Sequence, residues 1–442
     1  MKNRLFILFS LLVICSAVSV AQEQNPASQA DVIRDCARAD WNKAAGLDGV
    51  YDCSPQFSTP VPKGYEAVYV SHYGRHGSRY AYTEKTYTTI VNMLSEAAGE
   101  DNLTPFGDDL LKRLQPFWDD VCYRVGDLTP LGWEQHQYIA ETMVRSFPSA
   151  FGKGSKVDAC SSASVRSIVS MSSFCAAVAR FAPKAELYEH QGIMDIQATR
   201  PNMGRNPFKY LGPDYPFPYP ESSEDFFYRR MPQYKDVLAR MFKNPDAALG
   251  QVNAYDAFFY LYMLVAGINS LPEEHKLDVS GILTPDEFAI LWETDNYERF
   301  REYLPYRTSC FSIIDDMIAK ADSCLASGGR GAHLRFGHDH VLMSLLMDMV
   351  VNDFGGIPQN ADDLILNFNT MYSPMAANIQ IVFFAPKKKD HGPVLVKILL
   401  NGVEASIGDL KPESGPYYRW EDVKAFLEAR KCLFVNRGQR IS

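Results

Sequence analysis

Beyond its first residues, the 442-residue sequence has no apolar run approaching the ~20 residues that a membrane helix needs. It has no cysteine pair at CxxC spacing, which leaves zinc-finger and dithiol redox chemistry without support. It has no excess of base: 44 Lys and Arg against 53 Asp and Glu give a net charge of −9, which argues against nucleic acid as a partner. A small anionic ligand is not excluded, because binding depends on the local field of a cleft rather than on net charge. No internal repeat is present. The composition, 46% hydrophobic and 12% aromatic, is neither disordered nor fibrous, and the length suffices for a large packed core.

The N-terminus sets the compartment. Lys2 and Arg4 precede the apolar stretch Leu5 to Val13, and Ser19-Val20-Ala21 follows as a small-residue cleavage site. Residues 1–21 therefore read as a signal peptide cleaved after about Ala21, and the protein as secreted or periplasmic. A competing reading lipidates Cys15, preceded by Leu12, although Val13 and Ile14 fit that motif poorly. Removing the leader takes Lys2 and Arg4 and no acid, moving the charge from −9 to −11. Eight of the nine cysteines remain, an even number compatible with disulfides, whose pairing the spacing does not determine. Residues 22–40 are polar and read as a lead-in rather than as core.

From Glu66 the pattern changes. Ala67-Val68-Tyr69-Val70 is a continuous apolar run, as in a strand buried on both faces, and it runs into Ser71-His72-Tyr73-Gly74-Arg75-His76-Gly77. Thr129 and Pro130 suit the N-cap and first position of a helix to about Phe147. Lys156 to Cys160 reads as a strand, followed by apolar residues at helical spacing from Ile168 to Phe181. Residues 191–330 begin rich in proline and continue as helical stretches such as Asp256 to Ala266 and Phe311 to Ala321. Strand signals return at His333–Phe336, before Gly337-His338-Asp339-His340 and a helix from Val341 to Val350. Ile379 to Ala385 and Val394 to Leu400 are further strands, the second closed by the turn pair Asn401-Gly402. Lys387-Lys388-Lys389 reads as a solvated turn between them. Alternating strands and helices predict an α/β fold with a mostly parallel sheet flanked by helices. Residues 22–190 and 331–442 would form that domain, with 191–330 a mainly helical cap insertion.

Three polar clusters, at 75–79, at 166 and at 338–339, each follow a predicted strand. In α/β sheets ligands bind outside the carboxyl ends of strands, so the three are expected to share a crevice. Their chemistry suits a phosphate monoester. Arg75, Arg79 and Arg166 can donate paired hydrogen bonds to its oxygens, and the His76 imidazole can attack phosphorus. Asp339 can protonate the departing alkoxide and then activate water. A metal reading of His338-Asp339-His340 is weakened by adjacent strand residues pointing to opposite faces.

The segment Arg75-His76-Gly77-Ser78-Arg79 resembles the signature of the histidine acid phosphatases, a branch of the phosphoglycerate-mutase-like superfamily. Leu128-Thr129-Pro130-Leu131-Gly132 with Gln135, Ser161-Ser162 through Arg166 to Ser170, and Gly337-His338-Asp339 resemble further segments of that family in the same order. The resemblance implies His76 as nucleophile, Arg75, Arg79, Arg166 and His338 as phosphate ligands, and Asp339 as general acid. Neither it nor the residue reading calls for a metal or an organic cofactor. Ser71-His72-Tyr73, Tyr80 and Ala376-Ala377-Asn378 look most like the multiple inositol polyphosphate phosphatases. Two positions depart: Ala81 stands where the family usually has proline, and His338-Asp339 where that branch usually has His-Ala-Glu. The expected substrate is a small anionic phosphate ester of the phytate type, with broad-specificity phosphate scavenging as the alternative. Arg200, Arg205 and Lys209 are candidate contacts from the cap for further phosphates. A cytoplasmic-type mutase disagrees with the signal peptide, and a non-catalytic phosphate-binding module with the filled set of roles.

Overall fold

A computed structural model describes residues 26–56, 58–192, 195–203, 217–250, 252–388 and 392–438. The signal-peptide residues with Cys15, the cap candidates Arg205 and Lys209, and Lys389 lie outside the described residues.

One mixed sheet organises the chain. Its strands are β1 (Tyr65–Arg75), β2 (Lys156–Ser161), β3 (Glu186–His190), β4 (Gly331–Gly337), β5 (Asn378–Pro386), β6 (Leu395–Leu400), β7 (Val403–Ala405) and β8 (Tyr418–Arg419). They lie in the order β3-β2-β4-β1-β5-β6-β7, with β8 also paired to β6. The half β3-β2-β4-β1 is parallel. From β5 onward every pairing is antiparallel: β5, β6 and β7 follow one another through short connections that reverse the chain, and β5 also runs against β1. Parallel order is thus confined to the half that carries the three polar clusters. The Asn401-Gly402 turn, with both residues at positive φ (52° and 82°), closes the β6–β7 hairpin.

Both faces of the sheet are covered, which is why its central strands read as continuous apolar runs. In β5, Ile379, Ile381 and Phe383 pack on the side of the helices Arg307–Ala326, Asp339–Met349 and Trp420–Gly438. Val382 and Phe384 pack on the other, beneath the helices Pro130–Ser146 and Val165–Phe181. Thr129 caps the first of these by accepting from the Gly132 amide, with Pro130 in its first turn.

A third apolar core lies among helices. It joins Lys85–Gly99, Pro105–Val121, Ala254–Gly267 and the start of Pro285–Tyr303, with Phe258, Trp292 and Phe288 fully buried. Residues from both sides of the sequence before and after β2 and β3 therefore build one helical layer, while Arg307–Ala326 lies on the sheet.

One sequence expectation is corrected. The stretch 22–40 is not merely a lead-in: Pro26–Ala39 is a helix whose Ala30 and Ala37 are buried in the helical core. Its docking uses small apolar residues and one buried ion pair, Arg34 to Glu293 at 2.9 Å, so the sequence looks polar although one face is packed. Cys53, Cys122, Cys160, Cys175, Cys310, Cys324 and Cys432 are free thiols, and no described helix is long and apolar enough to cross a membrane.

Candidate active site

The end of β1 lies between β4 and β5, and its backbone is held from both sides. The Arg75 amide donates to Ala377 O at 2.8 Å and the His76 amide to Gly337 O at 3.1 Å. The Ala376 amide donates to His76 O at 2.8 Å, so the late segment 376–378 frames the loop that follows β1.

That loop then runs against the N-terminus of the helix Pro130–Ser146. A Cβ on Gly77 would lie 2.5 Å from Gly132 O, and one on Gly132 would lie 2.2 Å from Ser78 O. Both glycines are therefore demanded by backbone meeting backbone. The Ser78 amide donates to Gln135 Oε1 at 2.9 Å, Gln135 Nε2 donates to Ser78 Oγ at 3.0 Å, and the Thr129 amide donates to Ser78 O at 2.9 Å. The Gly77 amide donates to Ser170 Oγ at 3.1 Å. Two segments that looked like separate sequence motifs are one packed unit. Ala81 has a local reason as well: its N–H donates to the Tyr87 hydroxyl at 3.1 Å, which a proline could not do.

His76 is buried, and its Nδ1 lies 3.0 Å from Gly77 O. A carbonyl only accepts, so Nδ1 carries the proton and Nε2 is left with the lone pair. Burial, and then the charges of Arg75, Arg166 and Arg79, push the imidazole pKa well below its usual range. The ring therefore stays neutral in acid where an exposed histidine would already be protonated.

Around it stand cations whose hydrogen-bonding capacity is only partly used. Arg75 is fully buried, donates to Ser373 O at 2.7 Å, and places Nη2 2.8 Å from Asp339 Oδ2 in an ion pair. Arg79 pairs with Asp48 at 3.4 Å and donates to Tyr80 O at 3.1 Å. Arg166, in the first turn of the helix Val165–Phe181, has its pKa lowered to about 10 by burial and then by Arg79. The Nε groups of Arg75, Arg79 and Arg166, and that of Arg200, are buried without an acceptor. Buried N–H groups of cations rarely stay unpaired, and donors of this kind suit an anion.

His338 caps the helix Asp339–Met349, with its ring centroid 5.8 Å from that of His76. Its Nε2 is 3.0 Å from Ser162 Oγ, and burial followed by His340 lowers its pKa well below the ordinary value. Asp339 is pulled both ways. Burial raises its pKa, but Arg75 and then the His340 side chain outweigh it and hold the carboxyl well below the usual range, and the His340 amide donates to Asp339 Oδ1 at 2.8 Å.

All six residues singled out from the sequence, His76, Asp339, Arg75, Arg79, Arg166 and His338, thus lie at the carboxyl ends of β1, β2 and β4. Arg200 joins them: its charge bears on both Arg166 and His338. Asp48 and Tyr73 were not found from the sequence. Tyr73 is fully buried and joins the two sides of the crevice, donating to Thr199 O at 2.8 Å and accepting from the His338 amide at 3.2 Å. It belongs to the Ser71-His72-Tyr73 stretch, but the partner of its hydroxyl lies 126 residues away and nothing local marks it. Among the described residues, no group of three or more His, Cys, Asp or Glu is arranged to hold a metal ion.

This sheet, with its helical layer, is the fold of the histidine acid phosphatases. No protein-family model and no curated protein matches the sequence. Solved structures do match. The multiple inositol polyphosphate phosphatase of Bifidobacterium longum in complex with phosphate superposes with a TM-score of 0.69 at 18% identity, over 88% of this chain and 98% of that one. Its complex with inositol hexasulfate gives 0.69 at 16% identity, over 87% and 97%. The phytase from D. castellii gives 0.66 at 15%, over 88% and 85%.

Proposed function

We propose that the chain is a secreted phosphomonoesterase of the histidine acid phosphatase type, with inositol polyphosphates as its substrate class. The observation that carries this is the set of buried guanidinium Nε–H groups without acceptors on Arg75, Arg79 and Arg166, whose charges all bear on the buried His76 imidazole. The fold shared with the B. longum enzyme, whose complexes hold phosphate and inositol hexasulfate, supports the substrate class.

In the first step, His76 Nε2 attacks phosphorus, the N–P bond forms, and the bond to the ester oxygen breaks. Asp339 transfers its proton to that oxygen, which leaves as an alcohol. In the second step, Asp339 as carboxylate takes a proton from water as its oxygen attacks phosphorus. The N–P bond then breaks, and inorganic phosphate leaves. The arginines and His338 hold the non-bridging oxygens throughout.

Asp339 begins as a carboxylate because Arg75 faces it. A phosphate dianion draws on the same guanidinium and adds negative charge beside Asp339, and both effects raise its pKa. The acid is made by substrate arrival.

A time course of phytate digestion by the purified protein tests this reading. Inorganic phosphate and lower inositol phosphates are expected, EDTA should not inhibit, and His76→Ala should be inactive. Asp339→Asn should slow phytate by about 10²–10⁴-fold and 4-nitrophenyl phosphate much less, because nitrophenolate leaves without a proton. Retained turnover in His76→Ala would refute the covalent route.

A further inference from the structure

Beyond the active site, a line of histidines and carboxylates crosses the parallel half of the sheet. Asp158 lies on β2, His190 ends β3 and His333 lies on β4. Asp195 stands at the start of the short helix Ile196–Thr199, and Asp316 lies on Arg307–Ala326. His190 touches two carboxylates at once, with Nε2 2.7 Å from Asp158 Oδ1 and Nδ1 3.0 Å from Asp195 Oδ1. A neutral imidazole can donate from one nitrogen only, and a carboxylate only accepts. The pair of contacts therefore requires imidazolium.

The surroundings favour that charge. Asp158 also faces His333 Nδ1 at 3.2 Å, and this hydrogen bond, against burial, helps bring its pKa down to about 2. Burial and then Arg335 lower the His333 pKa, and Arg335 is itself hydrogen-bonded to Asp316 at 2.9 Å. Glu189, the neighbour of His190 in the strand, turns instead to Ser172 and Cys175. The groups facing His190 are thus two carboxylates, with His333 and the paired Arg335 behind them. Burial lowers the His190 pKa, but the hydrogen bonds to Asp195 and Asp158 overcome it and leave the pKa raised.

Asp195 is tied by backbone to Arg200. Thr199 Oγ1 donates to Asp195 O at 2.7 Å, and the Arg200 amide donates to Ile196 O at 2.7 Å. The far end of this arm reaches the active site, where Tyr73 holds Thr199 O and Arg200 Nε is buried without an acceptor.

We propose that protonated His190 is a positioning residue: by bridging Asp158 of the sheet to Asp195, it fixes the arm that presents Arg200 to the phosphate pocket, so that substrate affinity falls when His190 loses its proton. The proposal rests on the phosphatase reading of that pocket. The sign follows from the raised pKa: the bridge is intact in acid and is lost as pH rises through the His190 value.

The test is KM and kcat for 4-nitrophenyl phosphate from about pH 5 to about pH 9 in the wild type, His190→Gln, Arg200→Ala and the double variant. The titration of the substrate itself is common to all four, so ratios of KM remove it. His190→Gln is expected to raise KM about fivefold at acid pH, to leave kcat within about twofold, and to converge on the wild type at high pH. In the Arg200→Ala background it should add nothing. Asp195→Asn, which keeps the side-chain shape, should reproduce the effect and serves as the test if His190→Gln does not fold. A constant KM ratio across pH, or equal effects of His190→Gln with and without Arg200, would overturn the proposal. A wild type that hydrolyses no phosphate ester would instead overturn the proposed function.

Discussion

Replacing His136 by phenylalanine should make the protein more resistant to acid, by an amount that the structure sets. His136 lies on the helix Pro130–Ser146, 1% exposed, with its ring 5.8 Å from that of Phe336 and 6.4 Å from that of Phe174. Neither ring nitrogen has a hydrogen-bond partner, and burial alone lowers its pKa to about 3. Unfolded, the same imidazole titrates near ~6.5. The folded state therefore loses stability as pH falls below that value, because only the unfolded chain takes up the proton. Between pH 7 and about pH 4.5 the loss from this residue is about 2.5 kcal/mol. Phenylalanine fits the aromatic surroundings and cannot titrate. Urea denaturation at both pH values measures the difference. The variant should match or exceed the wild type at pH 7, since two unsatisfied nitrogens are removed, and should lose about 2.5 kcal/mol less on acidification. Equal losses in the two proteins would show that His136 is protonated in the fold and would refute the argument.

Three further outcomes follow from the same structure. Gly77→Ala sets a Cβ 2.5 Å from Gly132 O, and backbone cannot yield as a side chain can. It should cost about 1–3 kcal/mol in denaturation and at least ~100-fold in kcat/KM by shifting His76, and near-normal turnover would refute the close-contact argument. Arg34→Ala leaves the buried Glu293 with Arg230 as its remaining cation and should destabilise by about 1–3 kcal/mol in the same assay, whereas no change would mean that the N-terminal helix adds nothing. Because His76 stays neutral well below the ordinary histidine range, kcat/KM should hold up at about pH 4.5, where an unperturbed imidazole would be almost fully protonated. A tenfold fall per pH unit starting near ~6.5 would contradict that.

Elements were legible where a local rule and the tertiary structure agree. Ala67 to Val70 announced the central strand because both of its faces are covered, and Thr129-Pro130 announced a helix through cap chemistry. The same signature, Thr104-Pro105, opens Pro105–Val121 and passed unnoticed. β3 was missed because it is an edge strand, and Glu186 to His190 is largely exposed and polar. Pro26–Ala39 was misread for a different reason. Its buried face is alanine, and the partner of Arg34 lies 259 residues away, so nothing local distinguishes that arginine from a solvated one.

At the site, the sequence pointed to residue types at strand ends, and parallel order brought those ends together. What it could not carry was the pairing among charges. Arg75 and Asp339 looked like a phosphate ligand and an acid with separate tasks, yet they face each other at 2.8 Å. That contact changes the chemistry expected of both. With the pocket free of substrate, Asp339 is an anion and Arg75 is half neutralised. In the proposed mechanism a phosphate dianion would then compete for the guanidinium, and the proton that Asp339 gains would enter with the substrate or from solvent. The depressed carboxyl pKa therefore does not disqualify Asp339 as the acid, because the state that matters is the substrate complex. It does require that one proton accompany binding. Above the second phosphate pKa of ~6, that proton becomes scarcer with each pH unit. kcat/KM should then fall with rising pH even though His76 is fully neutral there, and the fall should vanish in Asp339→Asn assayed on 4-nitrophenyl phosphate. A fall that persists undiminished in that variant would move the proton requirement away from Asp339.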